Sequence, residues 1–509
     1  MHPLLRVGLA AALGVCLALA MPPLGWWPLA LVAVGGLALM CHHVSMAKGA
    51  LAGSVFGFTF MLVCMWWLHV VVPGIQFAIA VAEVPFFALL GLSLAATSRL
   101  PAWPLWGASA WVAMEVLRGN VPFGGFPWAR LGTAFVDTPV VGWSRYLGEG
   151  GLTLVVALAS ILLAASVVCF RRWAVVHARR WAAASAGAAV ALLAAAALLP
   201  VGLAGPGGRT LTVAVVQGDV PGKGLNSFSE PRVTLRNHVE ATRELAADVD
   251  TGRVPAPDVV IWPENASDID PLRYEQAGAL IQQAVDAVAA PVVVGAVTLG
   301  PGPNDVQGTG IVWQPSTGPA DHYAKHKLVP FGEWVPFRAA LTPLIPLLES
   351  EIPRDFVPGT RPGVLDVGEL TVGAVMCFEV AYDAAIRDVT RGTVDLLAVQ
   401  TNNATYLGTD QLEQQWAITR MRAVETGRAV AVAATTGISG VIAPDGEVVE
   451  RTESRAQQVI VAEVPAAEGT TLGVRIGAAV ATVSTVVAGL ATLTAVIVLR
   501  RRRETLRVR

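Results

Sequence analysis

The stretch GAVMCFEVAY (residues 373–382) reads as a buried strand that delivers a thiol. A small, apolar run leads into Cys377, and a carboxylate follows two positions on at Glu379. A strand apolar on both faces belongs in a sheet covered on each side. Runs of the same kind recur on either side of it: TLTVAVVQ (210–217), DVVIWPE (258–264), PVVVGAV (291–297), GIVWQP (310–315), DLLAVQT (395–401), RAVAVAATT (428–436), SGVIAPDG (439–446) and QQVIVAEV (457–464). Amphipathic stretches near 231–248, 271–289, 381–391 and 410–427 alternate with them. Short buried strands alternating with helices predict an α/β domain over 208–470.

The rest of the chain is of another kind. Of 509 residues, 54% are hydrophobic and only 15% charged, with a mean hydropathy of +0.56. The excess lies in 1–204 and 473–499, whereas 208–470 has the balance of a soluble domain. A helix needs about 20 apolar residues to cross a bilayer, and on that basis spans are expected near 4–22, 26–42, 49–69, 75–97, 103–117, 148–170, 181–203 and 473–499. The expected organisation is therefore a seven-span helical domain (1–204), a domain at 208–470, a C-terminal span (473–499) and a basic tail (500–509). Arg6, Lys48, Arg99, the RRWAVVHARR cluster (171–180) and the tail fall on one side of eight spans. Positive residues mark the cytoplasmic side, so both termini are expected inside and 208–470 outside. The ALA at 18–20 resembles a signal-peptide cleavage site, but removing residues 1–22 would leave an odd number of spans and spoil the charge asymmetry. The segment is read as a retained helix. In the 118–147 loop, Trp128 and Arg130 are candidates for a lipid headgroup or an interfacial anchor.

A net charge of −2 and no basic stripe give no sign of a nucleic-acid partner. Cys377 is the only cysteine between residues 205 and 471. One thiol builds neither a disulfide within its domain nor a zinc site, and no metal or cofactor is expected. Free cysteines are commonly small core residues; the company of Cys377 argues for chemistry. Glu264 ends VVIWPE, and Lys325 lies in HYAKHKLVPFGEWVPF, close to Glu333. A carboxylate can take a thiol proton, a lysine can steady a thiolate and an oxyanion, and a thiolate can attack a carbonyl.

In that chain order, Glu264 in WPE, Lys325 in YAK and Cys377 after its strand resemble the Glu-Lys-Cys triad of the nitrilase superfamily. That resemblance implies an αββα sandwich and a thioester intermediate. VVQGDVP, IWPEN, YAKHKLVPFGEWVPF, CFE, NNATYLG and QQWAITRMRAVETGR together resemble the apolipoprotein N-acyltransferase family over essentially the whole chain, and LVPFGEWVPF (328–337) is the most discriminating piece. The resemblance implies Glu264 as general base, Lys325 as oxyanion stabiliser and Cys377 as nucleophile, with Glu333 and Glu379 as further site carboxylates. It implies a phospholipid acyl donor, a diacylglyceryl-lipoprotein acceptor and a multi-pass position in the bacterial cell membrane among its lipids. Two departures stand out. Phe378 replaces the tyrosine frequent after the nucleophile, and the 221–230 segment lacks an expected tryptophan. The apolar, four-proline stretch WVPFRAALTPLIPLLESEIP (334–353) is read either as a membrane-facing arm admitting acyl chains, with Trp334, Leu344 and Leu347 toward lipid, or as helical turns packed on the domain. Two other readings remain open: a membrane-tethered amidase that hydrolyses a small amide with the same triad, and a receptor or transporter with an inert domain.

Overall fold

The computed structural model describes residues 2–171, 176–200, 208–220, 232–302, 304–346, 348–349 and 352–507. The chain divides into two compact units, Met1–Pro200 with Leu472–Arg509, and Val201–Thr471.

The first unit is helical: α1 (Pro3–Ala20), α2 (Pro28–Cys41), α3 (Met46–Cys64), α4 (Ile75–Thr97), α5 (Trp103–Arg118), α6 (Trp143–Phe170), α7 (Val176–Ala195) and the C-terminal α13 (Leu472–Arg507). Among the described residues, six stretches are long and apolar enough to cross a membrane, within α1, α3, α4, 139–170, 177–198 and 472–501. The helices expected at 26–42 and 103–117 form, but at 14 and 16 residues they are shorter. Small residues let α3 and α4 pack backbone to backbone. A Cβ on Gly49 would sit 2.4 Å from the Gly91 carbonyl oxygen, the close approach that glycine permits between apolar helices.

The 118–147 region departs from expectation. Trp128 is 1% exposed, and Arg118 and Arg130 are buried with it, so neither a headgroup contact nor an interfacial anchor describes Trp128 and Arg130. Arg130 pairs with Glu149 at 2.8 Å and Glu115 at 3.4 Å. Glu115 also accepts from Trp111 Nε1, the Leu131 amide and Thr153 Oγ1. Arg118 donates to the carbonyls of Phe126, Trp128 and Ala129. Charges removed from water need such partners, and these partners fix the segment after α5.

The second unit is a sandwich of two six-stranded sheets. One has the order β12-β1-β2-β3-β4-β5 and the other β11-β10-β9-β8-β7-β6. The strands are β1 (Thr210–Gln217), β2 (Val259–Ile261), β3 (Val292–Leu299), β4 (Val306–Gln314), β5 (Gly318–Ala324), β6 (Val364–Val367), β7 (Leu370–Met376), β8 (Leu396–Thr401), β9 (Val430–Ala434), β10 (Gly440–Ile442), β11 (Val448–Arg451) and β12 (Gln458–Pro465). Strand alternation divides the apolar residues between two layers. Leu211, Val213 and Val215 of β1 lie between the sheets in one layer with Ala431 and Ala433 of β9 and with Val372, Ala374 and Met376 of β7. Ala214 and Val216 turn outward to α8 (Val233–Asp250) and α9 (Glu275–Val288). A short α10 (Arg338–Leu341) follows β5, and on the second sheet α11 (Asp383–Thr390) packs on β7 and α12 (Gln411–Thr426) on β9. The result is the αββα sandwich expected. β5, β6 and β11 were not evident as strands, because they are short or carry polar residues such as Asp321, His322, Asp366 and Glu450.

Candidate active site

Strand ends carry the polar residues to one place. β2 stops at Ile261, and Trp262-Pro263 carry the chain to Glu264, which is buried. β5 stops at Ala324, immediately before Lys325. Backbone bonds hold that lysine on both sides: its amide donates to the Gly308 carbonyl, and its carbonyl accepts from Gly359. Its Nζ lies 3.0 Å from Glu264 Oε1 and 2.5 Å from Glu333 Oε1. The second oxygen of each carboxylate is also occupied: Glu264 Oε2 accepts from the Asn402 amide and Glu333 Oε2 from the Val329 amide.

Cys377 follows β7 directly and opens a 3₁₀ turn, Cys377–Ala381. Its φ is +48°, a left-handed conformation that a side chain resists and that the surroundings must enforce. Glu379 does the enforcing. Buried at 1% exposure, its Oε2 accepts from the Met376 amide at 2.8 Å and from the Tyr323 hydroxyl. Its Oε1 accepts from the amides of His326 and Lys327 at 2.9 and 2.8 Å. One carboxylate thus ties the turn bearing Cys377 to the segment bearing Lys325. Tyr323 was not singled out in the sequence, although in HYAK it lies two residues before Lys325, where strand alternation puts both side chains on one face.

The charges set proton affinities. Burial pushes the Cys377 thiol up to about 11, the Glu264 charge adds to this, and Lys325 opposes it. Burial also raises Glu264 above its ordinary value, against the pull of Lys325. For Lys325 burial acts downward, but the charges of Glu264 and Glu333 outweigh it and hold the ammonium well above its ordinary value. The resting arrangement is therefore a neutral thiol beside an ammonium bracketed by two carboxyl groups.

Phe378 is half-buried and packs edge-on against Tyr382, with ring centroids 5.6 Å apart. The phenol absent at position 378 thus stands next to it. Burial, followed by the charge of Glu333, pushes Tyr382 up to about 12. A second phenol, Tyr406, follows β8, and the charges of Cys377 and Glu333 add to burial in raising it. Neither tyrosine was marked in the sequence as a site residue. In the 334–353 stretch, Trp334 is half-buried while Phe337 and Leu344 are 71% and 77% exposed. Arg338 and Asp355 clamp the base of this stretch, and the Val335 amide donates to the same carboxylate. Leu347 and the 221–230 segment lie outside the described residues.

Comparison with known proteins gives the chain its family. Residues 13–162 match the apolipoprotein N-acyltransferase N-terminal domain, and residues 212–472 match the carbon-nitrogen hydrolase domain. An apolipoprotein N-acyltransferase from Mycolicibacterium smegmatis is 37% identical over 87% of this chain and 78% of its own length. One from Ralstonia nicotianae is 31% identical over 97% of this chain and 93% of its own. Among solved structures, an amidase of the nitrilase superfamily from Nesterenkonia aligns with a TM-score of 0.38 and 18% identity, over 51% of this chain and 92% of that one. With a carbon-nitrogen hydrolase domain over half its length and full-length relatives at this identity, the chain belongs to the apolipoprotein N-acyltransferase family.

Proposed function

We propose that this protein is a membrane-bound acyltransferase that moves a fatty acyl chain from a phospholipid, through a thioester on Cys377, to the α-amino group of an S-diacylglyceryl cysteine at a lipoprotein N-terminus. The observation that carries the reading is Lys325 bracketed by Glu264 and Glu333 at 3.0 and 2.5 Å, in a unit where Cys377 holds a left-handed turn at a strand end. The names of the relatives supply the acceptor, and the ester chemistry of a phospholipid supplies an acyl group without further activation.

In the first half-reaction Glu264 takes the thiol proton as sulfur attacks the ester carbonyl. Lys325 and backbone N–H groups of the Cys377 turn steady the oxyanion. The C–O bond breaks, and the lysophospholipid alcohol leaves with the proton from Glu264. In the second, the acceptor amine attacks the thioester, Glu264 takes the ammonium proton, and an amide forms as sulfur leaves and is reprotonated. A thioester yields readily to an amine, provided that water is excluded. Glu379 acts through the turn it braces and Phe378 through its packing on Tyr382. The exposed Phe337 and Leu344, with Trp334, are read as the lipid-facing arm.

The protein is read as eight-span, with both termini cytoplasmic and the Val201–Thr471 unit outside. What supports this is the eight helices of the first unit, six of them with stretches long and apolar enough to cross a membrane, and the basic residues at 6, 48, 99, 171–180 and 500–509. The shorter α2 and α5 would require a locally thin bilayer or burial among neighbours.

The deciding measurement is the intact mass of purified protein after incubation with phospholipid and no acceptor. A hydroxylamine-labile acyl adduct is expected on the wild type and not on Cys377→Ala. A folded wild type that takes no acyl group refutes the reading and directs attention to small-amide hydrolysis.

A further inference from the structure

Two stretches that bear no charged site residue, NNATYLG and QQWAITRMRAVETGR, meet behind the thiol. Thr401 is the last residue of β8. That strand runs parallel to β7 with Met376 beside Gln400, which brings Thr401 level with Cys377. The Thr401 hydroxyl, 1% exposed, lies beside the Cys377 side chain, whose proton affinity it lowers against the effect of burial, and stands at the end of a ladder of buried amides. Gln411 Nε2 donates to Gln415 Oε1 at 2.8 Å, one turn along α12. Gln415 Nε2 in turn donates to Thr401 Oγ1 at 3.0 Å. On its other side Thr401 Oγ1 lies 3.1 Å from Asn403 Oδ1. All four residues are buried.

A hydroxyl has one proton to give and two lone pairs to receive. The Gln415 amide fills one lone pair, so the orientation of the hydroxyl reduces to a choice of acceptor, Asn403 Oδ1 or the Cys377 sulfur. A neutral thiol is a weak acceptor and loses to the amide oxygen. A thiolate is charged, and charge-assisted hydrogen bonds are about twice as strong as neutral ones. We propose that Thr401 is a positioning residue whose hydroxyl turns from Asn403 to sulfur as the thiolate forms, and turns back once the thioester discharges it. The inference rests on the reading of Cys377 as the nucleophile. Its value to the reaction is differential, because the bond strengthens only in the charged state. The charged groups facing the sulfur are Glu264, Lys325 and Glu333, with the Tyr406 phenol beside them, and all four are retained when Thr401 alone is changed.

The test is the pH dependence of Cys377 alkylation by iodoacetamide in the full-length protein in detergent. It is read from the mass of the Cys377 peptide, with Cys377→Ala as background. Thr401→Val should raise the alkylation midpoint by about one pH unit, while Thr401→Ser titrates like the wild type. Acylation by phospholipid near neutral pH should fall about tenfold in Thr401→Val and recover as the pH is raised. A merely structural role would lower the melting temperature without moving the midpoint. Equal midpoints in the wild type and Thr401→Val overturn the inference, and so does a Thr401→Ser midpoint displaced as far as that of the valine variant. If the valine variant does not fold, Gln415→Met decides. It frees the hydroxyl to rotate and should raise the midpoint by a smaller step; an unchanged midpoint overturns the proposal. Wild-type protein that shows the expected alkylation shifts but accepts no acyl group supports the Thr401 assignment and refutes the acyl-transfer reading.

Discussion

Replacing Glu379 by glutamine should disable the site without removing any group that touches the reacting atoms. The carboxylate receives four donors, two on each oxygen. An amide keeps one oxygen and turns the other into a donor, so its orientation matters. With NH₂ toward His326 and Lys327, two backbone N–H groups would face a donor, and neither can turn away. With NH₂ toward Met376 and Tyr323, the phenol can reverse and accept, leaving only the Met376 N–H orphaned. The second orientation should prevail. It costs about 1–3 kcal/mol for one buried unsatisfied donor. Weakening three charge-assisted bonds to neutral ones adds roughly 0.5–1 kcal/mol each, for a total of about 2.5–6 kcal/mol. The orphaned N–H precedes Cys377, so the loss falls on the residue with φ +48°, and the turn should relax toward an ordinary backbone. The assay pairs thermal unfolding in detergent with the single-turnover rate of Cys377 acylation. A lowered melting temperature and acylation slowed by at least about 100-fold are expected. Tyr323→Phe in the same background should be worse than the product of the single effects, since it removes the one partner able to adapt. A Glu379→Gln protein that melts and acylates like the wild type would refute the bracing argument.

Leu344→Asp, at a side chain 77% exposed, should leave the melting temperature unchanged and raise the apparent KM for phospholipid by about tenfold, because a carboxylate resists transfer toward the bilayer; unchanged kinetics would remove the arm from the mechanism. His238 is fully buried, donating from Nδ1 to the Thr234 carbonyl while Nε2 accepts from the Gly218 amide, and burial lowers its pKa from 6.5 to about 4. Its folded value lies below its unfolded one, so the unfolded chain binds the extra proton first. Stability should be full above pH 6.5 and decline by about 3 kcal/mol as the pH falls to 4; the decline should flatten in His238→Gln, as read from melting temperature against pH. Glu333→Gln should move the acidic limb of the acylation–pH profile to lower pH, because the Glu333 charge raises Glu264; a limb that stays put or moves upward would contradict the electrostatic assignment.

Much of this site was legible in the sequence because strand ends are legible. An apolar run broken by a single polar residue marks where a buried strand reaches the rim, and Glu264, Lys325 and Cys377 each occupy such a point. What escaped were groups whose work depends on partners distant in the chain. Tyr323 lies 56 residues from Glu379, and although Glu379 was marked as a site carboxylate, nothing near Tyr323 in the chain announces the brace the two form. Thr401 looks like any strand-terminal threonine until Gln415 arrives from the next helix. β5, with Asp321 and His322 in its middle, does not alternate cleanly, because an edge strand has a face open to water. In the membrane unit, Arg118 and Arg130 read as loop charges, since composition cannot reveal that Glu83, Glu115 and Glu149 are folded against them.

The second glutamate gives the site its balance. Lys325 is held as an ammonium between Glu264 and Glu333, and burial keeps the thiol beside it protonated. That is the sense of a thiol raised to about 11. In the proposed reaction the thiol proton passes to Glu264, whose own proton affinity burial raises. The net charge is then the same before and after the transfer, and only its place moves, from a carboxylate to an oxyanion beside the ammonium. A buried site of low polarisability tolerates displacement of charge far better than creation of it. Without Glu333, Lys325 and Glu264 would form a neutral pair that the thiolate must disrupt. With it, Lys325 remains bound on one side while it turns its free donors toward the developing oxyanion. The switch proposed for Thr401 has the same logic: its hydroxyl would supply a donor to sulfur only while the negative charge is there, and it adds no charge of its own.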